Sequence, residues 1–208
     1  MPKSEWTASP YVPSSKSLED LQRAVQDCTG CPLYADTTQA VFGAGSRFAH
    51  IMLVGEQPGD QEDRHGHPFI GPAGRVLWEC LDAAKIDPQS VYTTNAVKHF
   101  KHEVRGARRL HKKPTVAEVD ACHPWIEAEL RAVRPDVIVA LGTTAARSLF
   151  GRMMPIAGSR IASLTVGDTP TLVTYHPSAV LRADDGGPEI RAALVEDLQR
   201  AKQLSGIG

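Results

Sequence analysis

The sequence has no apolar run long enough to cross a membrane, and its N-terminus lacks the basic, apolar and small-residue regions of a signal peptide. It has only four cysteines, which in a reducing compartment favour metal ligands or buried thiols over disulfides. It also lacks internal repeats and low-complexity tracts. These absences argue against a membrane protein, a disulfide framework or a repeat array. We therefore expect a cytoplasmic protein, and nothing in the sequence suggests more than a monomer.

The composition that is present is that of one ordinary globular domain. The chain has 208 residues, of which 42% are hydrophobic and 23% charged. This length supports one α/β domain with a substantial core, but not two full domains. Residues 1–16 contain several serines and three prolines without periodicity. We predict a flexible N-terminal tail over 1–16 and a single domain over 17–208.

Strand-like and helix-like segments alternate along the chain. Segments "HIMLVGE", "VYTTNAV", "DVIVALG" and "TLVTYHP" are typical of buried strands. Amphipathic segments between and around them predict helices at 17–27, 72–85, 115–133, 143–150 and 188–204. This alternation predicts a three-layer α/β/α domain with a mostly parallel central sheet. Polar side chains gather directly after the strands, where open α/β sheets bind their ligands.

Positive charge is concentrated in one run at residues 98–114, which holds seven Lys/Arg, three His and one acid. The whole chain has a formal net charge of -1, and without this run it has 16 Lys/Arg against 23 Asp/Glu. A basic patch on an acidic body indicates an anionic partner such as a nucleic-acid backbone. We therefore predict a basic loop at 100–114 that contacts DNA or RNA; a merely solvated loop is the alternative.

Three motifs, two at strand ends and one before a helix, carry groups suited to chemistry. "GEQPGDQED" at 55–63 combines a tight glycine turn with acids and amides that can orient water or a base edge. "HPFIGPAG" at 67–74 holds Phe69 on a turn, where it can stack on a planar base or simply pack in the core. In "HPSAVLR" at 176–182, His176 can donate to a developing anion, and Ser178 can bind phosphate at a helix start. Each motif alone is weak evidence, because polar loops and structural histidines are common.

The cysteines provide only half of a recognisable metal site. Cys28-Thr29-Gly30-Cys31 is a CxxC pair, and a zinc or iron–sulfur site needs four ligands. The remaining ligands must come from Cys80, Cys122 or a histidine. Cys80 lies on the apolar face of a predicted helix, which favours an inert core thiol. Spacing alone does not separate zinc from iron–sulfur.

Taken in order, CTGC, GEQPGDQED, PFIGPAG, TNAVK, Cys122 and HPSAVL resemble the uracil-DNA glycosylase superfamily, most closely its iron–sulfur family 4. The resemblance runs from Cys28 to the last helix. It implies a uracil-DNA glycosylase-like fold, uracil-containing DNA as substrate, and a 4Fe-4S cluster. The implied cluster ligands are Cys28, Cys31, His99 and Cys122. His99 stands where the family usually has cysteine, so Cys80 remains an alternative ligand.

Residues 106–111, "GARRLH", are similar to the KRRIH-type loop of the UdgX branch, with Ala107 and Leu110 in place of its Lys and Ile. In that branch the loop histidine attacks the sugar and leaves the protein covalently bound to DNA. The resemblance therefore implies that His111 attacks C1′ of the deoxyribose after uracil departs. A neutral imidazole has a nitrogen lone pair for this step.

The resemblance also implies roles for the other site residues. Gly55, Asp60, Phe69, Asn95 and His176 would bind uracil, with Phe69 stacking on the extruded base and His176 bonding its O2. Glu56 and Gln57 would flank the sugar as catalytic residues. The residues expected to hold DNA, single-stranded DNA in preference, are Arg108, Arg109, Lys112, Lys113 and Ser178. Two alternatives remain: a conventional multiple-turnover glycosylase, and a non-catalytic iron–sulfur protein that binds uracil or abasic DNA.

Overall fold

The computed structural model describes residues 5–183 and 185–207. Its strands are β1 (Ala44–Gly45), β2 (Ile51–Gly55), β3 (Val91–Asn95), β4 (His102–Arg105), β5 (Arg108–His111), β6 (Val137–Leu141), β7 (Leu164–Val166) and β8 (Thr169–Thr174). The main sheet has the order β1-β3-β2-β6-β8-β7. Strands β3, β2, β6 and β8 are parallel, while β1 and β7 are antiparallel edges. The predicted mostly parallel sheet is confirmed.

Helices cover both faces of this sheet. They are α1 (Leu18–Val25), α2 (Asp60–His65), α3 (Pro72–Ala83), α4 (Val116–Val133), α5 (Thr143–Phe150), α6 (Ile156–Ser159), α7 (Ser178–Arg182) and α8 (Gly187–Ser205). Alternate residues of the strands point to opposite faces. Ile51 and Leu53 of β2 share a core with α3 and α8, whereas Met52 and Val54 share one with α4 and α5. The predicted three-layer α/β/α architecture is therefore correct.

Local sequence signals explain where the long helices begin. Pro72 lies in the first turn of α3, where a missing N–H costs nothing. At the start of α4, Thr115 Oγ1 accepts a hydrogen bond from the Glu118 amide (3.3 Å), and Glu118 Oε2 accepts one from the Thr115 amide (2.7 Å). This reciprocal capping box fixes the chain direction immediately after the basic run. Among the described residues, no helix combines the length and apolar character needed to cross a membrane.

The N-terminal segment expected to be a tail contacts the domain. Residues 1–4 lie outside the described residues. From residue 5 onward the segment packs beside α4: Ala8 is buried, and its amide donates to the Ala121 carbonyl (2.8 Å). The Tyr11 and Thr29 hydroxyls are hydrogen-bonded (2.6 Å). These contacts attach the segment next to the CxxC pair, and the flexibility of the tail stays a prediction.

The basic run forms a β-hairpin, whereas the sequence suggested an irregular loop. Strands β4 and β5 pair antiparallel, with His102 opposite His111 and Arg105 opposite Arg108. A two-residue connection joins them, and its Gly106 adopts a φ of 60°, which glycine tolerates without strain. The hairpin projects from the loop between β3 and α4. It places His111 at the end of β5, facing the carboxyl edge of the main sheet.

Candidate active site

The carboxyl ends of β2, β3, β6 and β8 and the basic hairpin together enclose a cleft of about 1000 Å³. Most of the predicted site residues line it: Glu56, Gln57, Asp60, Phe69, Asn95, His111, Lys113, His176 and Ser178. Strand register explains the convergence, since Gly55 at the end of β2 pairs with Asn95 at the end of β3. Sequence positions that are far apart are therefore neighbours in one cleft.

The floor of the cleft is a slot between an aromatic ring and an amide. A Cβ atom at Gly55 would lie 2.4 Å from Asn95 Oδ1 and 2.7 Å from Phe69 Cζ, so only glycine leaves this space open. Phe69 adopts a φ of 56°, and its carbonyl accepts a hydrogen bond from Trp78 Nε1 (3.2 Å). Gly74 lets that carbonyl approach helix α3, because a Cβ there would lie 1.9 Å from it. The ring is thus held rigidly beside the Asn95 amide, which suits a planar base.

A buried carboxylate, not identified in the sequence, ties the two glycine turns of the site together. Glu62 is 7% exposed. Its Oε2 accepts from the Gly59 amide (3.1 Å) and its Oε1 from the Gly71 amide (2.8 Å). Gly59 belongs to the turn after β2, and Gly71 follows Phe69. Glu62 therefore fixes the turn after β2 relative to the turn that carries Phe69.

His176 is held as a neutral imidazole with a defined tautomer. Burial, followed by the nearby Arg182 guanidinium and by electrostatic coupling to His111, lowers the pKa of His176 to about 4. The Ser178 amide donates to His176 Nδ1 (3.2 Å), and the Ser178 hydroxyl lies 2.8 Å from the same atom. Because a backbone N–H can only donate, Nδ1 is the unprotonated nitrogen. The ring proton is on Nε2, so the neutral ring retains one N–H donor.

Glu56 and His111 face each other in the cleft. Glu56 Oε2 accepts a hydrogen bond from the Thr144 hydroxyl at the start of α5. The other oxygen, Oε1, lies 3.5 Å from His111 Nε2. Burial lowers the pKa of His111, the Glu56 carboxylate opposes that shift, and Arg182 reinforces it. The imidazole is therefore neutral at pH 7, beside a carboxylate that Thr144 holds in place.

Gln57 clamps the base of the hairpin. Its side-chain Nε2 donates to the carbonyls of Lys101 and Lys112 (both 3.1 Å), and its Oε1 accepts from the Lys101 amide (3.0 Å). Lys101 and Lys112 flank β4 and β5, so one amide bridges both ends of the hairpin. These contacts favour a positioning role for Gln57 over the expected contact with the sugar.

Arg109 pins the hairpin to helix α2. Its Nε lies 2.5 Å from Asp60 Oδ1, and its Nη1 lies 2.6 Å from Oδ2 of the fully buried Asp63. Asp60 also pairs with Arg64 (2.9 Å). The Asp60 carboxylate and the Arg109 guanidinium are thus engaged with each other, which argues against the expected uracil contact of Asp60 and phosphate contact of Arg109. A guanidinium held between two carboxylates, one of them fully buried, fixes geometry more than a single surface pair does.

The cations free to meet DNA differ in part from those expected. Lys112 pairs with Glu103 at the surface (3.3 Å), whereas Arg108 is exposed. Lys113, Arg75 and Arg182 line the cleft, and none of them forms an ion pair within the part of the chain that the structure describes. Arg75 and Arg182 were not identified from the sequence, because isolated arginines on helices give no local signal. Only the fold brings them to the cleft.

Of the four residues expected to hold the cluster, the three cysteines are near enough to influence one another electrostatically. Burial raises the pKa of Cys31 to about 11 and that of Cys122 to about 12, and repulsion among Cys28, Cys31 and Cys122 adds to both shifts. Backbone and indole N–H groups aim at two of the sulfurs: the Lys98 amide at Cys122 Sγ and Trp125 Nε1 at Cys28 Sγ, both 3.3 Å. Such N–H···S contacts are typical of cluster ligands.

Three further observations bear on the metal prediction. Within residues 5–183 and 185–207, no three His, Cys, Asp or Glu side chains converge on one point that could hold a metal ion. His99 is 5% exposed, and burial lowers its pKa to about 4. Cys80 is fully buried against α8, in a different core from Cys28 and Cys122. This location argues against Cys80 as the alternative ligand and supports its interpretation as a core thiol.

The fold and the cleft define an α/β protein with a neutral histidine, a carboxylate and an amide–aromatic slot at the carboxyl ends of parallel strands. The family model described as the uracil DNA glycosylase superfamily matches residues 42–199. The chain therefore belongs to the uracil-DNA glycosylase superfamily.

Several relatives are known by name. The chain is 36% identical over 190 residues to the type-4 uracil-DNA glycosylase of Thermotoga maritima, covering 90% of this chain and 94% of the relative. It is 32% identical over 199 residues to the type-4 enzyme of Archaeoglobus fulgidus, covering 92% and 94%. A type-5 uracil-DNA glycosylase of Pyrobaculum aerophilum is 32% identical over 183 residues, covering 78% of this chain and 75% of the relative. The resemblance to family 4 is confirmed at this level, while membership of the UdgX branch stays a prediction.

Proposed function

We propose that this protein excises uracil from DNA and that His111 then captures the exposed sugar. One observation carries the proposal: His111 Nε2 lies 3.5 Å from Glu56 Oε1, inside the cleft that also contains Asn95 and His176. The superfamily relationship and the type-4 relatives support the glycosylase part. The hairpin geometry supports the capture step.

Base selection follows from the slot beside Gly55. Uracil extruded from the DNA stack would lie on the Phe69 ring, at an unstacking cost of about a few kcal/mol that single-stranded DNA reduces. The Asn95 amide would donate to uracil O4 and accept from N3–H. Cytosine has a donor and an acceptor at these two positions, so it mismatches the same amide twice. A buried mismatched polar group costs about 1–3 kcal/mol.

Bond cleavage requires stabilisation of two opposite charges. The C1′–N1 bond breaks with its electron pair leaving on uracil, so negative charge develops at O2 and positive charge on the sugar. The Nε2–H of His176 would donate to O2, and this ring stays neutral because its pKa is about 4. The Glu56 carboxylate would stabilise the cationic sugar. Preorganised charges at such sites are usually the largest catalytic contribution.

Capture completes the reaction within the same cleft. The lone pair of a neutral His111 nitrogen forms a bond to C1′, and the positive charge of the new imidazolium lies against Glu56. A side chain held beside the reacting carbon has a large advantage over bulk water. Gln57 and Arg109 would contribute by holding the hairpin in place. Because an N-alkylated imidazole is a poor leaving group, the adduct persists and each molecule reacts once.

A 4Fe-4S cluster belongs to the proposal as a structural cofactor. Cys28, Cys31 and Cys122 would be three of its ligands, and the N–H groups aimed at two of these sulfurs are suited to them. His99 is proposed as the fourth ligand. Brown protein with bound iron would support this assignment, whereas colourless protein with bound zinc would contradict it.

Two other functions remain distinguishable. A conventional multiple-turnover glycosylase, in which water captures C1′, is favoured by the type-4 names of the relatives. A non-catalytic DNA-binding protein fits the cleft less well, because binding alone does not require Glu56 and His111 to meet.

The test is incubation with uracil-containing single-stranded DNA followed by a denaturing gel. A band that survives detergent and heat supports capture, free protein with alkali-cleavable DNA indicates a conventional glycosylase, and intact DNA indicates a binder. We expect His111→Ser to abolish the covalent band while base release continues, because water then occupies the vacated space. A cross-link in this variant would show that another nucleophile acts.

A further inference from the structure

A buried ion pair lies behind the base-reading end of β3, and no step described so far uses it. The side chains of Lys98 and Glu129 are both 0% exposed, and the Lys98 ammonium contacts Glu129 Oε2. The ammonium also donates to Thr94 Oγ1 (2.7 Å) and to the backbone carbonyl of Asn95 (2.9 Å). All three of its donors are therefore used.

Glu129 completes the same network from helix α4. Its Oε1 accepts from the Thr94 hydroxyl (2.8 Å), the Tyr92 hydroxyl (3.0 Å) and the Gly43 amide (3.1 Å). The carboxylate thus connects β3 with the segment before β1. Two opposite charges are held in a dry interior with their hydrogen bonds satisfied.

The backbone of Asn95 is fixed from two directions. The carbonyls of Gly55 and Glu56 accept hydrogen bonds from the amides of the two residues after Asn95, at 2.9 and 3.1 Å. These bonds attach the end of β3 to the end of β2. From the opposite side, only the Lys98 ammonium reaches the Asn95 carbonyl among the contacts of the described residues. Because the Asn95 backbone carries its side chain into the slot, the orientation of the side-chain amide depends on Lys98 as well as on β2.

From this geometry we infer that Lys98 is a positioning residue for Asn95, so that discrimination of uracil depends on the buried Lys98–Glu129 pair. The inference rests on the proposed function, in which Asn95 reads the uracil edge. A buried ion pair is weak evidence for stability, because well-packed neutral side chains often stabilise a core equally well. Its contribution here is orientation, because the ammonium fixes the backbone carbonyl of Asn95, the residue proposed to read the base.

Two variants separate positioning from simple stability. Lys98→Met combined with Glu129→Gln removes both charges together, so that neither is left buried alone. The introduced amide oxygen can still accept hydrogen bonds from Thr94 and Tyr92. The matched control is Tyr92→Phe, which removes one hydrogen bond to Glu129 without changing any contact of Asn95.

Four quantities are measured for each variant: the melting temperature, the DNA dissociation constant by fluorescence anisotropy, the single-turnover rate of uracil release, and inhibition by free uracil relative to free cytosine. For the double variant we expect a cooperative melt and a DNA dissociation constant within about threefold of wild type. We expect uracil release to slow by about 10- to 100-fold, as a small misplacement near the reacting centre can do. Preferential inhibition by uracil should weaken by about tenfold, while Tyr92→Phe should stay within about twofold in both measurements.

A double variant that releases uracil at the wild-type rate with its preference intact would overturn the inference. So would a double variant that fails to fold, because Lys98 would then act in stability. If the wild-type protein itself releases no uracil, the proposed function fails, and this outcome is distinct from both.

Discussion

Replacing Gln57 by alanine tests whether the hairpin must be clamped for sugar capture. The side chain makes three hydrogen bonds across the hairpin base and is 7% exposed. At about 1 kcal/mol for each bond, their loss weakens the clamp by about 2–3 kcal/mol. Since about 1.4 kcal/mol corresponds to a factor of ten, the clamped state becomes less populated by about 30- to 150-fold relative to open states. Arg109 still holds β5, so we expect covalent capture to slow by about 10- to 100-fold.

Release of uracil should change much less in the same variant. Glu56, Asn95 and His176 lie at strand ends, and the hydrogen bonds of Glu56 and His176 go to Thr144 and Ser178 outside the hairpin. We expect base release within about threefold of wild type, because its contacts are independent of the clamp. Both products can be quantified from one denaturing gel time course, as protein-linked DNA and as alkali-cleavable DNA.

The matched control is Gln61→Ala, an identical substitution at an exposed cleft residue that follows in the same segment. It should leave both rates unchanged. Equal capture by Gln57→Ala and wild type would refute the clamp, and equal losses of capture and base release would show that Gln57 acts on the substrate directly.

Three other predictions concern pH, the base slot and the cofactor. Burial lowers the pKa of His111 from its ordinary value, so capture should be constant above pH 7 and fall only at acid pH; an acid midpoint for capture above 6.5 would contradict this direction. The pKa of His176 is about 4, so protonation of this ring should not slow uracil release above about pH 5. Gly55→Ala places a methyl group 2.4 Å from Asn95 Oδ1. Uracil release should therefore fall more than about tenfold, as it does when a reacting group is misplaced, while DNA affinity is retained. A normal rate of release would show that the slot does not hold the base. Iron removal by a chelator should lower the melting temperature and bleach the protein together, while Cys122→Ser should assemble less iron; unchanged stability after complete bleaching would exclude a structural cluster.

Periodicity and strand-end chemistry predicted the fold and most of the cleft. Parallel strands bring their carboxyl ends to one edge, so Glu56, Asn95 and His176 could be grouped without knowledge of the connections. The hairpin was not recognised as such, because charge dominated the composition of the run and masked its short alternating strands. The antiparallel edge strand β1 was also too short to leave a periodic signal.

The partners of individual charged side chains were the hardest part to predict. Arg109 was expected to contact phosphate, but Asp60 and Asp63 of α2 occupy its guanidinium. Glu62 and Lys98 were present in quoted motifs, yet nothing in a linear sequence shows that a charged side chain is buried. Burial depends on tertiary packing, and it changes a solvated charge into a structural constraint.

The cleft has two parts that are attached to the protein differently: the hairpin that carries His111, and the strand ends that carry Glu56, Asn95 and His176. The hairpin that carries His111 is attached to the body by the Gln57 amide, the Arg109 guanidinium, the contact of His111 with Glu56 and the two chain ends between β3 and α4. The strand-end acid, amide and imidazole would keep their positions if that hairpin were shortened. Under the proposed function, a change of length in this one connection would therefore alter sugar capture without altering the parallel sheet.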